Sequence, residues 1–378
     1  MAYKVSALKT KEYTPEEFDR AVQKHFEAFD IRPKIGWKSS KIVLKPNLLM
    51  KRAPDEATTT HPELVAAVVR YLKTLGADDI TIADSPGGPF TRQMLEGIYK
   101  ATGMTKVAAD TGAKLNFDTG FTAVHDAGSG GICQTYNIID VIAQADVVIN
   151  LPKMKTHAMT TLSGAVKNLF GCIPGLQKPE FHFRFPEKEH FGRMLVELAE
   201  MINPQFTIVD AVVSMEGDGP SGGSPKFAGL TIASDNLNAL DFALCGIMSL
   251  PPEEVCTVAH ALQKNPELSN IEYIGEQPSP IEDFKLPHSY GITDLAGNLP
   301  PFMNRMVRWL GKKLAPKPYI IRGKCIGCAK CAESCPAHVI DMIDKKAVIR
   351  YENCIKCFCC HEFCPPKAIG IQKMGRRR

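Results

Sequence analysis

Residues 41–47, KIVLKPN, precede THPELVAAVVRYLKTLGA at 60–77 and DITIADSP at 79–86. The first and third segments are short apolar runs, which are typical of buried strands. The segment between them has the apolar spacing of an amphipathic helix, with Thr60 as its predicted cap and Pro62 in its first turn. A strand, a helix and a strand in this order predict a parallel sheet that is covered by helices.

The same alternation continues as far as residue 263. Further strands are predicted at ADVVINLPKMK (145–155), QFTIVDAV (205–212) and GLTIASD (229–235). Further helices are predicted at residues 90–103, 162–170, 191–202, 236–250 and 252–263. We therefore predict an α/β fold with a doubly wound, mainly parallel sheet and helices on both faces.

Polar residues follow the apolar runs at several predicted strand ends. In such sheets ligands bind beyond the carboxyl ends of the strands, so these residues are candidates for substrate binding. Strand ends also meet solvent, where polar residues are expected, so solvent exposure could explain each residue taken singly. The candidates are Lys45, Asn47, Asp84, Ser85, Asn150, Lys153 and Asp210.

The stretch NLPKMKTHAMTTLSGAVKNLFG, which begins at Asn150, is the densest in candidate residues. In an extended segment Lys153, Lys155 and His157 share one face, and Lys167 lies on the predicted helix that follows. Three lysines and a histidine that converge would bind a phosphate or carboxylate. The alternative is a basic, solvated loop. Asn168, in the same stretch, is a further candidate for substrate binding.

Two glycine-rich loops follow predicted strands. DSPGGP at 84–89 precedes a predicted helix, where free N–H groups favour anions, and MEGDGPSGG at 215–223 would allow close backbone approach to a ligand. Ordinary turns are the alternative for both loops. Neither matches a nucleotide-binding motif, so neither justifies naming a nucleotide.

Two runs of cysteines follow the pattern C-x2-C-x2-C-x3-C-P near the end of the sequence. Three closely spaced thiolates hold three corners of a 4Fe-4S cubane, and the cysteine before the proline ligates the other cluster. We therefore predict two 4Fe-4S clusters, one held by Cys325, Cys328, Cys331 and Cys364 and one held by Cys354, Cys357, Cys360 and Cys335. Structural zinc prefers pairs of cysteines, and disulfides are not expected in a cytosolic chain. Cys359 is off the spacing, and Cys133, Cys172, Cys245 and Cys256 are expected to be buried small hydrophobes.

Residues 319–370 resemble a bacterial-type dicluster ferredoxin module, with a hairpin expected around Asp344. Residues 40–250 resemble the family known as domain of unknown function 362. The segments that carry this resemblance are KPNLL (45–49), NLPKMKTH (150–157), GAVKNLFG (164–171), VDAVVSMEGDGPSGG (209–223) and ASDNLNALD (233–241). The resemblance implies an iron–sulfur protein and supplies no agreed reaction.

Three regions follow from these patterns: an α/β ligand-binding domain at 1–265, a connector at 266–318 and a small α+β ferredoxin-like domain at 319–378. The connector contains a predicted basic amphipathic helix over 301–314, which could lie on a membrane or bind a partner, although packing against the parent domain is favoured.

The formal charge of +4 falls to about zero with two bound clusters, so no nucleic-acid binding is expected. The sequence contains no apolar run long enough to span a membrane, and its first residues are too polar for a secretory signal. We expect a cytoplasmic protein without membrane contact, as a homo-oligomer or a redox-complex subunit.

A ferredoxin module beside a ligand-binding domain suggests a reductase. An external low-potential donor would supply electrons, the three lysines would hold a small anionic substrate, and His157, with its ordinary pKa near neutrality, would donate a proton. Asp210 and Glu216 would orient the lysines or bind a metal. The alternative is an electron-transfer or assembly subunit that docks to a larger redox complex and has no substrate of its own. An enclosed lysine cluster would favour the first hypothesis, and a flat exposed patch would favour the second. A lesser reading has the clusters as oxidation-sensitive structural elements that hold the C-terminus folded.

Overall fold

The computed structural model describes residues 2–29, 31, 36–125, 130–289 and 315–372. The helix predicted over 301–314 lies outside the described residues.

The strands of the described residues are numbered in chain order. They are β1 Tyr3–Lys9, β2 Ile42–Pro46, β3 Ile80–Ile82, β4 Lys114–Leu115, β5 Phe121–His125, β6 Thr135–Ile139, β7 Val147–Leu151, β8 Lys153–His157, β9 Thr161–Ser163, β10 Phe206–Glu216, β11 Ser224–Ser234, β12 Ile271–Gly275, β13 Lys317–Ile320, β14 Ile340–Ile343, β15 Lys346–Ile349 and β16 Ile369–Gln372.

The helices of the described residues before position 290 are numbered in the same way. They are α1 Pro15–Phe29, α2 Pro62–Thr74, α3 Arg92–Ala101, α4 Met104–Thr111, α5 Asp140–Ala143, α6 Ala165–Asn168, α7 Gln177–Arg184, α8 Lys188–Ile202, α9 Leu237–Ile247 and α10 Cys256–Lys264. Two four-residue helices lie nearer the C-terminus, at Lys330–Glu333 and Cys359–Glu362.

Ten strands form one mixed sheet with the order β12-β1-β11-β10-β7-β2-β3-β4, and β8 and β9 join it beside β10. Strand β11 is antiparallel to both of its neighbours, whereas the path from β10 through β7, β2 and β3 to β4 is parallel throughout. The predicted α/β class with a mainly parallel sheet is confirmed.

Helices cover both faces of this sheet, as the side chains of β2 show. Ile42 and Leu44 join a core cluster that contains residues of α1 and α2, whereas Val43 joins a second cluster with residues of α8. Alternate residues of a strand point to opposite faces, so a continuous apolar strand requires apolar partners on both sides. The sheet is therefore doubly wound, as predicted.

Pro152 divides the strand predicted at 145–155. Strand β7 ends at Leu151 and β8 begins at Lys153. Proline has no N–H to donate to a ladder, so the chain changes its pairing there. Strand β7 pairs with both β2 and the start of β10, whereas β8 pairs further along β10 and with β9.

The helix predicted at 162–170 is also divided. Ser163 ends strand β9, and the helix α6 begins only after Gly164, so Ser163 and Lys167 are not neighbours on one helix. The cap of α2 is His61, whose side chain accepts a hydrogen bond from Glu63 N. Thr60, the predicted cap, instead donates to Leu151 O at 2.6 Å and so joins the helix start to β7.

The C-terminal module contains two antiparallel strand pairs. Strand β13 pairs with β16, and β14 pairs with β15. Asp344 and Lys345 turn the second pair with φ values of 48° and 57°. Two consecutive residues with positive φ are typical of a tight hairpin turn. The predicted hairpin around Asp344 is therefore present.

Candidate functional site

A narrow cavity of about 40 Å³ lies at the carboxyl edge of the sheet. A cavity of this size holds roughly three water molecules. Eight residues predicted from the sequence line it: Lys45, Asn47, Asp84, Ser85, Lys155, His157, Lys167 and Asn168. Its four lysines, Lys45, Lys155, Lys167 and Lys178, are all buried.

The C-terminal module forms one wall of this cavity through Glu362 and Phe363. Backbone and side-chain contacts hold the module in place. Ser221 Oγ donates to Glu362 O at 2.7 Å, and His361 Nε2 lies 3.0 Å from Asp218 O. The cavity is therefore an interface between the sheet and the ferredoxin-like module.

Both glycine-rich loops lie against this module. A Cβ atom on Gly87 would lie 1.9 Å from Phe363 Cε1, and one on Gly222 would lie 2.5 Å from His361 Cε1. Side chains do not tolerate such distances, so a larger residue at either position would displace Phe363 or His361. These glycines were expected to let the backbone approach a ligand closely. In the structure they let it approach the C-terminal module.

Lys45 and Asp84 form a buried ion pair at the base of the cavity. Lys45 Nζ donates to Asp84 Oδ1 at 2.6 Å and to Pro46 O at 3.1 Å. Asp84 Oδ2 accepts from Leu48 N at 2.7 Å. Because the charge of Lys45 is compensated within the protein, this lysine has little attraction left for a ligand.

A chain of amides connects the strand ends. Asn47 Nδ2 donates to Asn168 Oδ1 at 2.9 Å, and Asn168 Nδ2 donates to Asn150 Oδ1 at 2.8 Å. Asn150 donates in turn to Ala165 O at 3.0 Å. Asn150 does not line the cavity, and its place in this chain is to position Asn168 and the start of α6.

Lys155 reaches the cavity from β8. Its Nζ donates to Asn47 Oδ1 at 2.9 Å and to Thr58 O at 2.7 Å. An ammonium group has three donors, so one remains for a ligand. Burial lowers the pKa of Lys155 to about 7, and the opposite charge of Glu362 limits this fall. Lys155 can therefore hold or release a proton near neutral pH.

His157 presents an unpaired donor to the same cavity. Its Nδ1 accepts from Met159 N at 3.1 Å and from Thr160 N at 3.3 Å, so the proton of the neutral ring must be on Nε2. This buried Nε2 has no hydrogen-bond partner among the described residues, and Glu362 Oε2 lies 3.7 Å away.

Burial, reinforced by the charge of Lys167, lowers the pKa of His157 well below its ordinary value. The ordinary pKa was the reason for expecting His157 to be the proton donor, and this reason fails in a buried site. The neutral ring can donate a hydrogen bond from Nε2, whereas the pKa of Lys155 lies near neutrality.

Lys167 is the second unpaired donor. Its Nζ lies over the ring of Phe170, 4.6 Å from the centroid, and 5.9 Å from that of Phe191. Within the described parts of the chain no oxygen accepts a hydrogen bond from it. Burial lowers the pKa of Lys167, and the charge of Glu362 opposes this.

Lys153 and Asp210 lie outside the cavity and bind each other. Lys153 Nζ donates to Asp210 Oδ2 at 2.7 Å, and Tyr13 OH donates to Asp210 Oδ1 at 2.8 Å. Asp210 Oδ2 also accepts from His61 N at 2.8 Å. Of the three lysines predicted to converge, Lys155 and Lys167 line the cavity. Lys153 instead forms a buried ion pair with Asp210, which links β8 and β10 to Tyr13 in the segment before α1.

Glu216 is also apart from the cavity. Its carboxylate accepts from Lys285 N at 3.0 Å and lies 3.4 Å from Lys285 Nζ. Within the described ranges, no three His, Cys, Asp or Glu side chains converge as one metal ion requires. The structure therefore gives no support to the expected metal-binding role of Asp210 and Glu216.

Three buried residues of the site were not predicted. Lys178 donates to Ser85 O at 2.7 Å and to Pro86 O at 3.3 Å, and Glu362 comes from a distant segment. Asp241 Oδ1 accepts from Ala165 N at 2.6 Å and Oδ2 from Val166 N at 3.1 Å, which fixes α6. Burial raises the pKa of Asp241 to about 7. None of the three follows a strand, so the strand-end pattern could not identify them.

The cysteine runs fold into two groups. One small apolar space is lined by Cys325, Cys328, Cys331 and Cys364, which is the first predicted ligand set. In the second group, burial raises the pKa of Cys354, and the neighbouring Cys357 and Cys335 add to this effect. Four thiols around one apolar space suit a 4Fe-4S cubane, so the residues fit the cluster. The eight individual ligands stay a prediction.

The remaining cysteines lie as expected. Cys133, Cys172, Cys245 and Cys256 are buried, and Cys359 is buried in the short helix beside the second group. Among the described helices, none combines the length and the apolar character needed to cross a bilayer.

An α/β sheet joined to a module with two C-x2-C-x2-C-x3-C runs defines an iron–sulfur protein. The sequence model of the 4Fe-4S dicluster domain family matches residues 317–365, and this match supports 4Fe-4S binding and a capacity for electron transfer. The model of the domain of unknown function DUF362 matches residues 42–246, more than half of the chain. The chain belongs to this DUF362 family.

One curated relative is a thylakoid-associated protein of Synechocystis. It is 34% identical over 253 residues, which cover 65% of this chain and 76% of the relative.

A solved structure with partial similarity is the lactate racemase apoprotein from Thermoanaerobacterium thermosaccharolyticum, with a TM-score of 0.42 and 14% identity. The match covers 67% of this chain and only 57% of that protein.

Proposed function

We propose that this protein is an iron–sulfur reductase, which transfers low-potential electrons from two 4Fe-4S clusters to a small anionic substrate in the cavity beside Lys155, His157 and Lys167. An external low-potential carrier would supply the electrons. The proposal includes a cytoplasmic location, because none of the thirteen cysteines, which all lie within the described residues, forms a disulfide. It includes neither nucleic-acid binding nor membrane contact, and it is compatible with a homo-oligomer.

One observation carries this proposal: His157 Nε2 is a buried donor without a hydrogen-bond partner among the described residues, and Lys167, a buried residue of the same cavity, donates no hydrogen bond within them either. A buried donor without a partner costs about 1–3 kcal/mol, and more if it is charged. Such a group calls for a partner, such as an ordered water, an ion or a ligand. Both line the same cavity, so an oxygen atom placed there would satisfy the two at once.

The size of the cavity limits the substrate. A volume of about 40 Å³ accommodates a group of three or four heavy atoms, such as a carboxylate. Neutral His157 and cationic Lys167 would bind its oxygens, and the third donor of Lys155 would complete the site. A planar carboxylate or a small oxyanion has the acceptors that three such donors require.

The position of the module supports electron transfer into this cavity. Phe358 packs with Ala158, and Glu362 and Phe363 line the cavity, so the loop that carries Cys354, Cys357 and Cys360 lies against the substrate site. When bound, the clusters would supply one electron at a time. Lys155 would give a proton to the substrate, and Lys167 would offset negative charge that develops during the reduction.

The burial of the lysines also bears on the alternative, in which the protein is a docking subunit without its own substrate. That hypothesis expects a flat, exposed basic patch. Lys155 is 1% exposed and Lys167 is 8% exposed, which favours a substrate site.

The test begins with anoxically purified protein, in which iron, sulfide and any released small molecule are measured. The protein is then reduced with dithionite, freed of excess reductant and mixed with formate, acetate, pyruvate or bicarbonate while the visible absorbance of the clusters is followed. We expect one of these anions to reoxidise the clusters in the wild type but not in His157→Phe. Equal, slow reoxidation with every anion and in both proteins would refute a reductase for small anions.

A further inference from the structure

The two cysteine groups differ in their access to solvent. Among all thirteen cysteines, which lie within the described residues, Cys328 alone is exposed. It belongs to the group with Cys325, Cys331 and Cys364. In the other group Cys335 and Cys360 are buried and Cys354 and Cys357 are partly buried, and Phe358 of its loop packs with Ala158. The first group therefore has the most exposed ligand, whereas the loop of the second group contacts the α/β domain.

Two exposed apolar side chains lie in the Cys328 loop and in the hairpin beside it. Ile326 is 69% exposed, and Ile343, in the β14–β15 hairpin, is 53% exposed. The two segments are adjacent, because a Cβ atom on Gly327 would lie 2.4 Å from Lys345 O. Single exposed apolar residues are common, but two beside the exposed ligand of a redox group mark a contact surface.

The charges at this surface are mainly positive. Within the two adjacent segments, 324–328 and 343–346, three side chains are cationic and one is acidic. The cations are Lys324, Lys345 and Lys346, and the carboxylate is Asp344. Asp341 is held by Arg350, with Arg350 Nε 2.8 Å from Asp341 Oδ2. An apolar centre with a basic rim is complementary to a partner with an acidic rim.

We propose that the surface formed by Ile326, Cys328, Ile343, Lys324 and Lys345 is the docking site of a small acidic one-electron carrier protein. The carrier gives one electron and the module accepts it, and no bond is made or broken. The electron then moves away from the exposed group towards the group beside the cavity. This inference rests on the electron transfer of the proposed function, but it concerns a different surface.

The experiment uses a pre-reduced, acidic plant-type 2Fe-2S ferredoxin as the probe. Its second-order rate of electron transfer to the full-length protein is measured by stopped flow at increasing ionic strength, and its binding in the oxidised state is measured by calorimetry. We compare the wild type with Lys324→Glu/Lys345→Glu and with Ile326→Ser. The matched control reverses two exposed lysines of the α/β domain, Lys24→Glu/Lys38→Glu.

We expect the double reversal in the module to lower the rate at low ionic strength by about tenfold or more, since charge complementarity raises association rates by 10–10³. Binding should weaken in parallel, and salt should remove the difference between the two double variants. Iron content and reduction by dithionite should equal those of the wild type, which shows that the module is folded.

Two results would overturn the inference: a rate and affinity equal to those of the control, or an increase on charge reversal. If the module variants impair loading of electrons while no small anion reoxidises the clusters, the docking surface stands and the proposed reductase function fails. If small anions reoxidise the dithionite-reduced clusters and the charge reversals leave the rate of electron transfer from ferredoxin unchanged, the proposed reductase function stands and the docking surface fails.

Discussion

Replacement of Lys167 by methionine should raise the stability of the protein and weaken its binding of anions. Lys167 is a buried residue whose Nζ lies 4.6 Å from the centroid of the Phe170 ring and donates no hydrogen bond within the described residues. Replacing buried charges by apolar side chains is often neutral or stabilising by about 1–4 kcal/mol. Loss of the cation–π contact removes about 1 kcal/mol, part of which a methionine sulfur restores.

The net expectation is a gain of about 1–3 kcal/mol in the free energy of unfolding. At about 2 °C per kcal/mol for a large domain, the midpoint of thermal unfolding should rise by about 2–6 °C. The loss of one hydrogen bond from a charged donor costs about 1.5–3 kcal/mol in binding. The Kd for a small carboxylate should therefore rise about 10- to 150-fold.

Lys178 provides the matched control, because it is equally buried but fully paired. Its Nζ donates to Ser85 O at 2.7 Å, to Ser85 Oγ at 3.2 Å and to Pro86 O at 3.3 Å. Lys178→Met leaves these oxygens without a donor and should destabilise the protein by about 2–4 kcal/mol. The opposite signs of the two variants distinguish a ligand-binding lysine from a structural one.

The assay combines anoxic differential scanning calorimetry with isothermal titration of formate and acetate, and iron content verifies that the clusters are intact. If Lys167→Met lowers the unfolding midpoint as much as Lys178→Met, Lys167 is structural and the reasoning is refuted. If formate or acetate binds to Lys167→Met as tightly as to the wild type, the cavity is not an anion site of the kind proposed.

The affinity for anions should fall as pH rises through about 7, where Lys155 loses its proton, and calorimetry of Lys155→Met should show a smaller fall. The pKa of Lys155 is about 7 in the folded protein and about 10.4 in the unfolded chain, so the unfolded chain binds more protons between these pH values. The free energy of unfolding should therefore rise with pH across this window, and less steeply in Lys155→Met. Cys364→Ser should remove the cluster of residues 325–331, seen as loss of about half the iron and of one signal in the electron paramagnetic resonance spectrum; loss of the other cluster would contradict the pairing. Gly87→Ala should displace Phe363 and speed proteolytic release of the module, whereas Gly246→Ala, whose Cβ meets nothing within 4 Å, should behave as the wild type.

The sequence predicted several individual elements well, because their signals are local. The apolar run before Lys45 became β2, and the period-two spacing of Lys155 and His157 became the face of β8. The predicted element boundaries near Pro152 and Gly164 were wrong, because both depend on residues that are distant in sequence. The start of β8 depends on its pairing with β10, and the start of α6 depends on the hydrogen bond from Ala165 N to Asp241.

The chemistry of the site was only partly predictable. The residue types suggested an anion site, but burial and Lys167 lower the pKa of His157 well below the ordinary value on which its predicted role as an acid relied. Lys153 has the same spacing as Lys155, and only the position of Asp210 assigns it to a structural ion pair.

By itself, the sequence determined the class of the fold and the cysteine pattern of the clusters, because periodicity and ligand spacing are properties of neighbouring residues. Only the tertiary structure decided that the ferredoxin-like module closes the basic cavity. That arrangement depends on contacts such as Ser221 with Glu362, which are 141 residues apart, and on glycines that allow the two surfaces to meet. No local pattern encodes such a contact, since it exists only after both domains have folded and buried their shared surface.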